Sequence, residues 1–98
     1  MLGNKDKYTI EYLPRVISED IPKLDKRIKE IIRRKIEKLI EEPYLGFPLR
    51  GNLAGFYKLK VSNYRIVYKI QNDRLIILII AIGKRDNNLV YEIAFGRK

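Results

Sequence analysis

The sequence contains no cysteine and no histidine. Without cysteine, a disulfide framework, a zinc–thiolate site and a thiol nucleophile are excluded. Without histidine, the commonest general base and the commonest metal ligand are missing. Ser18 and Ser62 therefore have no partner for a serine triad. Long apolar runs are also lacking. The longest, Leu75 to Ile82, is eight residues and far too short to span a bilayer. The opening Met1-Leu2-Gly3-Asn4-Lys5-Asp6-Lys7 has no apolar run and no small-residue cleavage site, so a signal peptide is not expected. A cytoplasmic protein with no membrane partner is the expectation. Acidic residues become scarce after position 49, where only Asp73, Asp86 and Glu92 occur. Their spacing fits no metal loop and no paired-carboxylate site. Leu49-Arg50-Gly51-Asn52 lacks the P-loop pattern. No cofactor or metal is expected. Any chemistry must run on lysine, arginine, tyrosine or scattered carboxylates.

What is present is a chain of 98 residues, enough for one domain spanning 1–98. Hydrophobic residues make up 46% and charged residues 34%, a composition that folds. The formal net charge is +9, unevenly spread. Residues 1–49 hold 11 basic and 9 acidic groups, whereas residues 50–98 hold 10 basic and 3 acidic ones. An excess confined to one half points to an anionic partner: nucleic acid, an acidic protein or a membrane surface.

Tyr8 to Tyr12 alternates β-formers and reads as a first strand. Pro14 ends it and suits the first turn of a short helix, about Arg15 to Ile21, which Pro22 interrupts. Asp25 is a candidate N-cap for a longer helix reaching about Glu42. Ile28, Ile31, Ile32, Ile36, Leu39 and Ile40 form its apolar stripe. Its basic outer face reads as solvated surface. Glu30 precedes Arg34 by four residues, an attraction, and Glu37 precedes Glu41 by four, a repulsion. Glu19, Asp20, Glu41 and Glu42 read as helix-surface charges. Residues 44–55 are loop-like. Three strand signals follow: Phe56 to Val61, Tyr64 to Gln71, and Leu75 to about Ile82, ended by Gly83. Ser62-Asn63 and Asn72-Asp73 are candidate two-residue hairpin turns. The tail from Asn87 is ambiguous between helix and strand. The expected class is α+β, with two N-terminal helices packed on one face of a mostly antiparallel, four-stranded sheet. The uniformly apolar Leu75–Ile82 should be a central strand covered on both faces.

The informative stretch is residues 56–70. Strand alternation puts Lys58 and Lys60 on one face and Tyr57, Leu59 and Val61 on the other. With Ser62-Asn63 as the turn, Lys60 lies directly opposite Arg65, and Val67 and Lys69 continue that face. Like charges facing each other destabilise a sheet by a few tenths up to about 1 kcal/mol. No acid occurs in residues 56–72 to relieve them. Either the patch is used, or these cations merely solvate an exposed sheet face. Lys84 and Arg85 follow Gly83, where a turn brings them back toward the sheet. Tyr91 follows six residues after Arg85 and, on spacing alone, reads as a core or rim tyrosine.

Leu49-Arg50-Gly51, Tyr57-Lys58-Leu59-Lys60, Tyr64-Arg65-Ile66-Val67-Tyr68, Ile82-Gly83-Lys84-Arg85 and Val90-Tyr91 together resemble the RelE branch of the RelE/ParE toxin superfamily. The opening strand and helix pair fit the same fold, so the resemblance covers nearly the whole chain. It implies a toxin of a type II toxin–antitoxin system that cuts mRNA in the ribosomal A site. Carried over by motif, the working set is Lys58, Lys60, Arg65, Arg85 and Tyr91. Arg50, Lys69 and Lys84 are further candidates for RNA or ribosome contact. ParE-type relatives, which poison DNA gyrase, generally lack the set. The implied reaction needs no metal: the 2′-OH attacks its own phosphate, leaving a 2′,3′-cyclic phosphate and a 5′-OH. Lys58 and Arg65 suit the charge gathering on the phosphate. Lys60 is the best-placed base, because its cationic neighbours favour the neutral amine. Tyr91 could serve instead as the base or stack on a base. Arg85 suits the leaving group. The resemblance also implies a cognate, acidic, RelB-like antitoxin, and the helix over 25–42 is one candidate surface for it. Asp86-Asn87-Asn88 is less basic than this loop often is in relatives. Two other readings stay open: a gyrase-directed or otherwise non-nucleolytic toxin, and a plain nucleic-acid-binding module.

Overall fold

The computed structural model describes residues 7–98. Most of the opening run that the signal-peptide expectation concerned lies outside the described residues. Strand β1 (Thr9–Tyr12) leads into a helical segment at Pro14. That segment contains a π turn, Val16–Asp20, and a 3-10 turn, Ile21–Lys23, whose first turn accepts Pro22 because the donor it lacks is not needed there. Helix α1 (Lys26–Glu37) starts as its sequence requires: Asp25 accepts a hydrogen bond from the Ile28 amide at 2.9 Å. It tightens into a 3-10 turn, Lys38–Ile40, rather than running on to Glu42. Ile32, Ile36 and Leu39 are buried, whereas Ile31 faces outward at 40% exposure and leaves the expected stripe.

The sheet has five strands, not four, in the order β1-β5-β4-β3-β2. The additional strand is β2 (Phe47–Pro48), too short to leave an alternating pattern. Strands β3 (Phe56–Val61), β4 (Tyr64–Gln71) and β5 (Ile76–Lys84) form the antiparallel meander. β1 joins the edge of β5 in parallel, so the sheet is mixed. The first hairpin turns at Ser62-Asn63, with Val61 paired to Tyr64 as expected. The second turn takes four residues, 72–75, with Leu75 in the left-handed region, so β5 begins at Ile76 and runs past Gly83 to Lys84. β5 is central and buried on both sides, as its apolar run requires. A bulge sets its two faces. Val67 pairs with Ala81 and Tyr68 with Ile79, so Ile80 is the unpaired extra residue. Ile80 and Ala81 both then join the same core.

One face, packed by α1 and the first helical segment, holds Leu59, Ile66, Tyr68, Ile77, Ile79 and Ile82. The sequence assigns the N-terminal helices to one face and leaves the cover of the other open. That other face is half-covered by α2 (Leu89–Arg97), which resolves the ambiguous tail as helix and packs Val90 and Ala94 over Phe56, Val67, Ile80 and Ala81. Asn87 and Asn88 redirect the chain from β5 into α2, both with φ near +60° (59° and 57°). Asparagine tolerates that region better than most residues. Gly83 lets the helix approach, since a Cβ there would stand 3.3 Å from Val90.

The far end of α2 is locked. Arg97, with a side chain 3% exposed, donates to both Asp20 carboxylate oxygens at 2.8 and 2.9 Å and to the Ile80 carbonyl at 2.9 Å. Asp20 also accepts from the Ile82 amide at 2.9 Å. Asp20 is therefore an interior group and not the helix-surface charge that its place beside Glu19 suggested. Its partner lies 77 residues away. Glu41 and Glu42 are exposed as expected. Among the described residues, no helix is long and apolar enough to cross a membrane.

Candidate functional site

The face that carries α2 is apolar only over part of its area. Beyond the helix it is basic. Lys58 and Lys60 lie two apart on β3, on the side opposite the buried Leu59 and Val61. Lys60 stands directly across from Arg65, and Arg65 directly across from Gly83. Lys58 faces Val67. The hairpin geometry thus puts Lys58, Lys60 and Arg65 on one open stretch of sheet, as the strand alternation requires. Arg85 is brought to the same end: its amide donates to the Asn63 carbonyl of the hairpin turn at 2.9 Å.

Among the described residues, none of the cations from Arg50 to Arg85 takes part in a salt bridge. Arg65 is steadied by backbone instead. Its Nη1 donates to the Ser62 carbonyl at 3.1 Å and the Tyr64 carbonyl at 2.8 Å. Nε and Nη2, one edge of the guanidinium fork, stay available for a planar or tetrahedral anion. The field of the row is uncompensated, and the groups forming it are exposed or half-buried. Such a surface has the chemistry to hold a phosphodiester and to stabilise added negative charge on it.

Tyr91 sits half-buried in the first turn of α2. It lines a cavity of about 350 Å³ with Arg50, Asn52, Leu53, Asn88, Glu92 and Phe95. Arg50 thus neighbours Tyr91. Two candidates fall elsewhere. Lys69 lies opposite Phe56, with its ammonium 5.7 Å from that ring, four residues down β4 from Arg65. It lines a separate cavity with Arg97 and Lys98. Lys84 pairs with Tyr64, so it shares the other face with Tyr64 and Ile66 and points away from Arg65.

The sequence reading missed Phe47. It is paired with Lys58 on β2, and the Lys60 ammonium lies 4.9 Å from its ring centroid. A two-residue edge strand leaves no periodicity, so the only signal was an aromatic residue beside Pro48. Its position is fixed from beneath. The buried Tyr68 hydroxyl donates to the Pro43 carbonyl at 2.8 Å and accepts from the Gly46 amide at 3.0 Å. A side chain at Gly46 would collide with the Lys58 carbonyl and the Tyr68 hydroxyl. Burial pushes the Tyr68 phenol up to about 12.

The description "ParE toxin of type II toxin-antitoxin system, parDE" belongs to the family model that matches residues 9–89. A RelE-like toxin protein of Escherichia coli is 34% identical over 77 residues, covering 76% of this chain and 81% of that protein. The mRNA interferase toxin RelE of Escherichia coli K12 is 27% identical over 92 residues, covering 92% of this chain and 96% of that one. Among solved structures, an arginine double mutant of Escherichia coli RelE in the free state superposes with a TM-score of 0.78 at 26% identity, over 93% of this chain and 97% of that one. The RelBE2 toxin–antitoxin complex of Mycobacterium tuberculosis gives 0.74 at 28% identity, over 81% of this chain and 99% of that one.

Proposed function

We infer the function of this chain from the family to which it belongs, the ParE toxin family of type II toxin–antitoxin systems. Relatives that match it over most of its length include RelE toxins. The reading is a RelE-type mRNA endonuclease that acts in the ribosomal A site and is restrained by an acidic antitoxin. The observation that supports it most is the unpaired cation row, with Lys60 directly across from Arg65 on an open sheet face. A sheet that tolerates facing like charges with no carboxylate beside them gives up stability. An anionic substrate accounts for that loss.

The chemistry follows from the side chains. Lys60 accepts the proton of a ribose 2′-OH. The 2′-oxygen attacks the adjacent phosphorus, and the bond from phosphorus to the 5′-oxygen breaks. That oxygen takes up a proton from water, leaving a 2′,3′-cyclic phosphate and a 5′-OH, and Lys60 returns its proton to solvent. Lys58 and the free edge of the Arg65 fork hold the charge that accumulates on the phosphate. Arg85, beside the hairpin turn, stabilises the departing oxygen. Tyr91 holds a neighbouring base or shares the base role, with Arg50 beside it on the same cavity. Orientation on the ribosome supplies much of the rate.

The net charge of the second half gives an acidic antitoxin a reason to bind. The test is primer extension on mRNA positioned on purified ribosomes with an empty A site, comparing wild type with Arg85→Ala. A cut within the A-site codon that needs ribosomes and vanishes in the variant is expected. A second reading draws on the ParE description of the matching family model. Folded wild-type protein that leaves such mRNA intact would move the assignment to a gyrase-directed toxin. A plain nucleic-acid binder would instead hold naked RNA with a steep salt dependence.

A further inference from the structure

Phe47 is the aromatic residue of the basic face that the proposed reaction leaves unused. Its side chain is large and apolar, yet the residue is 54% exposed. It joins neither core, whereas Phe56, which lies under Lys69, is buried. An exposed ring on a sheet edge is an aggregation liability. This one is nevertheless held firmly: Gly46 is pressed against β3, and the buried Tyr68 hydroxyl ties the loop from both sides. That scaffold sets Phe47 opposite Lys58 and next to Lys60, one strand from the cation row.

We propose that Phe47 is a stacking platform for a nucleobase of the single-stranded RNA whose phosphate lies on Lys58 and Arg65. This rests on the RNA-cleavage reading above and adds a positioning residue to it. Cations that track a backbone, with an aromatic face beside them, are how single strands are gripped without regard to sequence. Neighbouring strands are about 4.8 Å apart, so Phe47 lies one spacing from Lys58 and about 10 Å, two spacings, from the strand of Arg65, and a base on it belongs to a nucleotide next to the phosphate held between them. The ammonium now over the ring is no obstacle. An exposed cation–π contact is weak and readily given up. Lys60 turns from the ring to the ribose 2′-OH beside the bound phosphate, and the ring face opens to the base. Stacking then holds the 2′-OH in line with the phosphorus it attacks.

The chain has no tryptophan, so Phe47→Trp introduces a single fluorescent reporter. Its emission is titrated with a short 2′-O-methyl RNA, whose capped 2′ oxygens block cleavage, and with the abasic version of the same strand. Ribosome-dependent cleavage is measured in parallel for wild type, Phe47→Leu and Phe47→Trp. The expected result is quenching by the base-bearing strand only. Phe47→Leu, which keeps the apolar bulk without the π face, should lose about tenfold to a hundredfold in kcat/KM. Phe47→Trp should restore it, and all three should melt together. Equal quenching by both strands, or equal cleavage by wild type and Phe47→Leu, overturns the platform. Unchanged cleavage by Phe47→Leu together with weaker binding of an acidic antitoxin would make the ring a protein contact instead. If wild type does not cut on ribosomes, the cleavage reading fails on its own, and the fluorescence arm still decides whether the ring stacks a base.

Discussion

Helix α1 and the β3–β4 hairpin both present basic side chains to solvent, and they treat them in opposite ways. On α1, Arg33 hydrogen-bonds Glu30 and reaches Glu37 at 2.7 Å, and Arg34 reaches Glu30 at 3.2 Å. Hydrogen bonds from Arg33 hold the Glu30 carboxyl below its ordinary value. On the hairpin, Lys58, Lys60 and Arg65 share a face with no carboxylate, and among the described residues none is in an ion pair. The same residue types are structural ornament in one place and exposed field in the other. Net charge alone does not locate a site, and neither does a single unpaired cation, since among the described residues Lys26, Arg27, Lys29 and Lys35 of α1 are in no ion pair either; cations crowded on one sheet face with no carboxylate beside them mark this one. Arg97 marks the limiting case, a cation taken fully inside and paired there.

That limiting case gives the largest expected effect. Asp20→Asn leaves the buried Arg97 guanidinium with only the exposed Glu19 carboxylate, 3.4 Å away, as counter-charge. Breaking a buried pair from one side costs about 3–5 kcal/mol. The urea midpoint of the variant should fall accordingly, and α2 should loosen first, seen as faster amide exchange at Val90 to Ala94. A variant as stable as wild type would mean that the pair is not what secures the helix.

The hairpin should behave the other way round. Arg65→Ala removes the charge facing Lys60, so the thermal midpoint should hold or rise slightly, because a like-charge pair is relieved. Ribosome-dependent cleavage should fall about 100- to 1,000-fold, the usual loss when one preorganised transition-state donor is removed. Activity lost while stability is kept is the signature of a cation held for its substrate. A parallel loss of both would make Arg65 a structural residue.

How much of this was readable beforehand follows the range of each signal. The hairpin register, and with it the Lys60–Arg65 pair, followed from a two-residue turn and strict alternation, both local. The Asp25 cap was local too. What escaped was decided at long range or by too few residues. Asp20 looked like a surface acid because its partner sits at the other end of the chain. The tail looked ambiguous because α2 is apolar on more than one side: Val90 and Ala94 are buried while Leu89 and Phe95 are exposed. The bulge at Ile80 was invisible in an unbroken run of isoleucine and leucine. Strand alternation puts Lys69 on the face of Arg65, as expected, but four residues down the strand, while the register of β5 puts Lys84 on the other face.

The loop under the hairpin offers a smaller effect, tied to pH. Burial raises the Tyr68 phenol from its ordinary 10 to about 12. The folded state therefore favours the protonated phenol more than the unfolded state does. The sign follows: this contribution is complete below pH 10 and is lost as pH climbs from 10 toward 12. Wild type should lose stability over that window relative to Tyr68→Phe, which has no phenol to titrate. Parallel curves for the two proteins would remove the linkage. Near neutral pH, Tyr68→Phe leaves the Gly46 amide short of an acceptor and should cost about 1–3 kcal/mol.

The smallest effect is expected on α1, and its smallness is the point. Arg33→Ala removes the cation that bridges Glu30 and Glu37 on the exposed helix face. Water and salt already screen such pairs, so the thermal midpoint should move by less than about 2 °C. The Glu30 carboxyl should titrate upward toward its ordinary value, since its main hydrogen-bond donor is gone. Carbon-detected NMR of the Glu30 side chain reads that shift directly. Ribosome-dependent cleavage should stay at the wild-type rate, in contrast to Arg65→Ala on the hairpin. If Arg33→Ala instead cut cleavage tenfold, a cation paired with carboxylates on α1 would prove functional. The basic face of α1 would then have to be counted as part of the ribosome-facing surface.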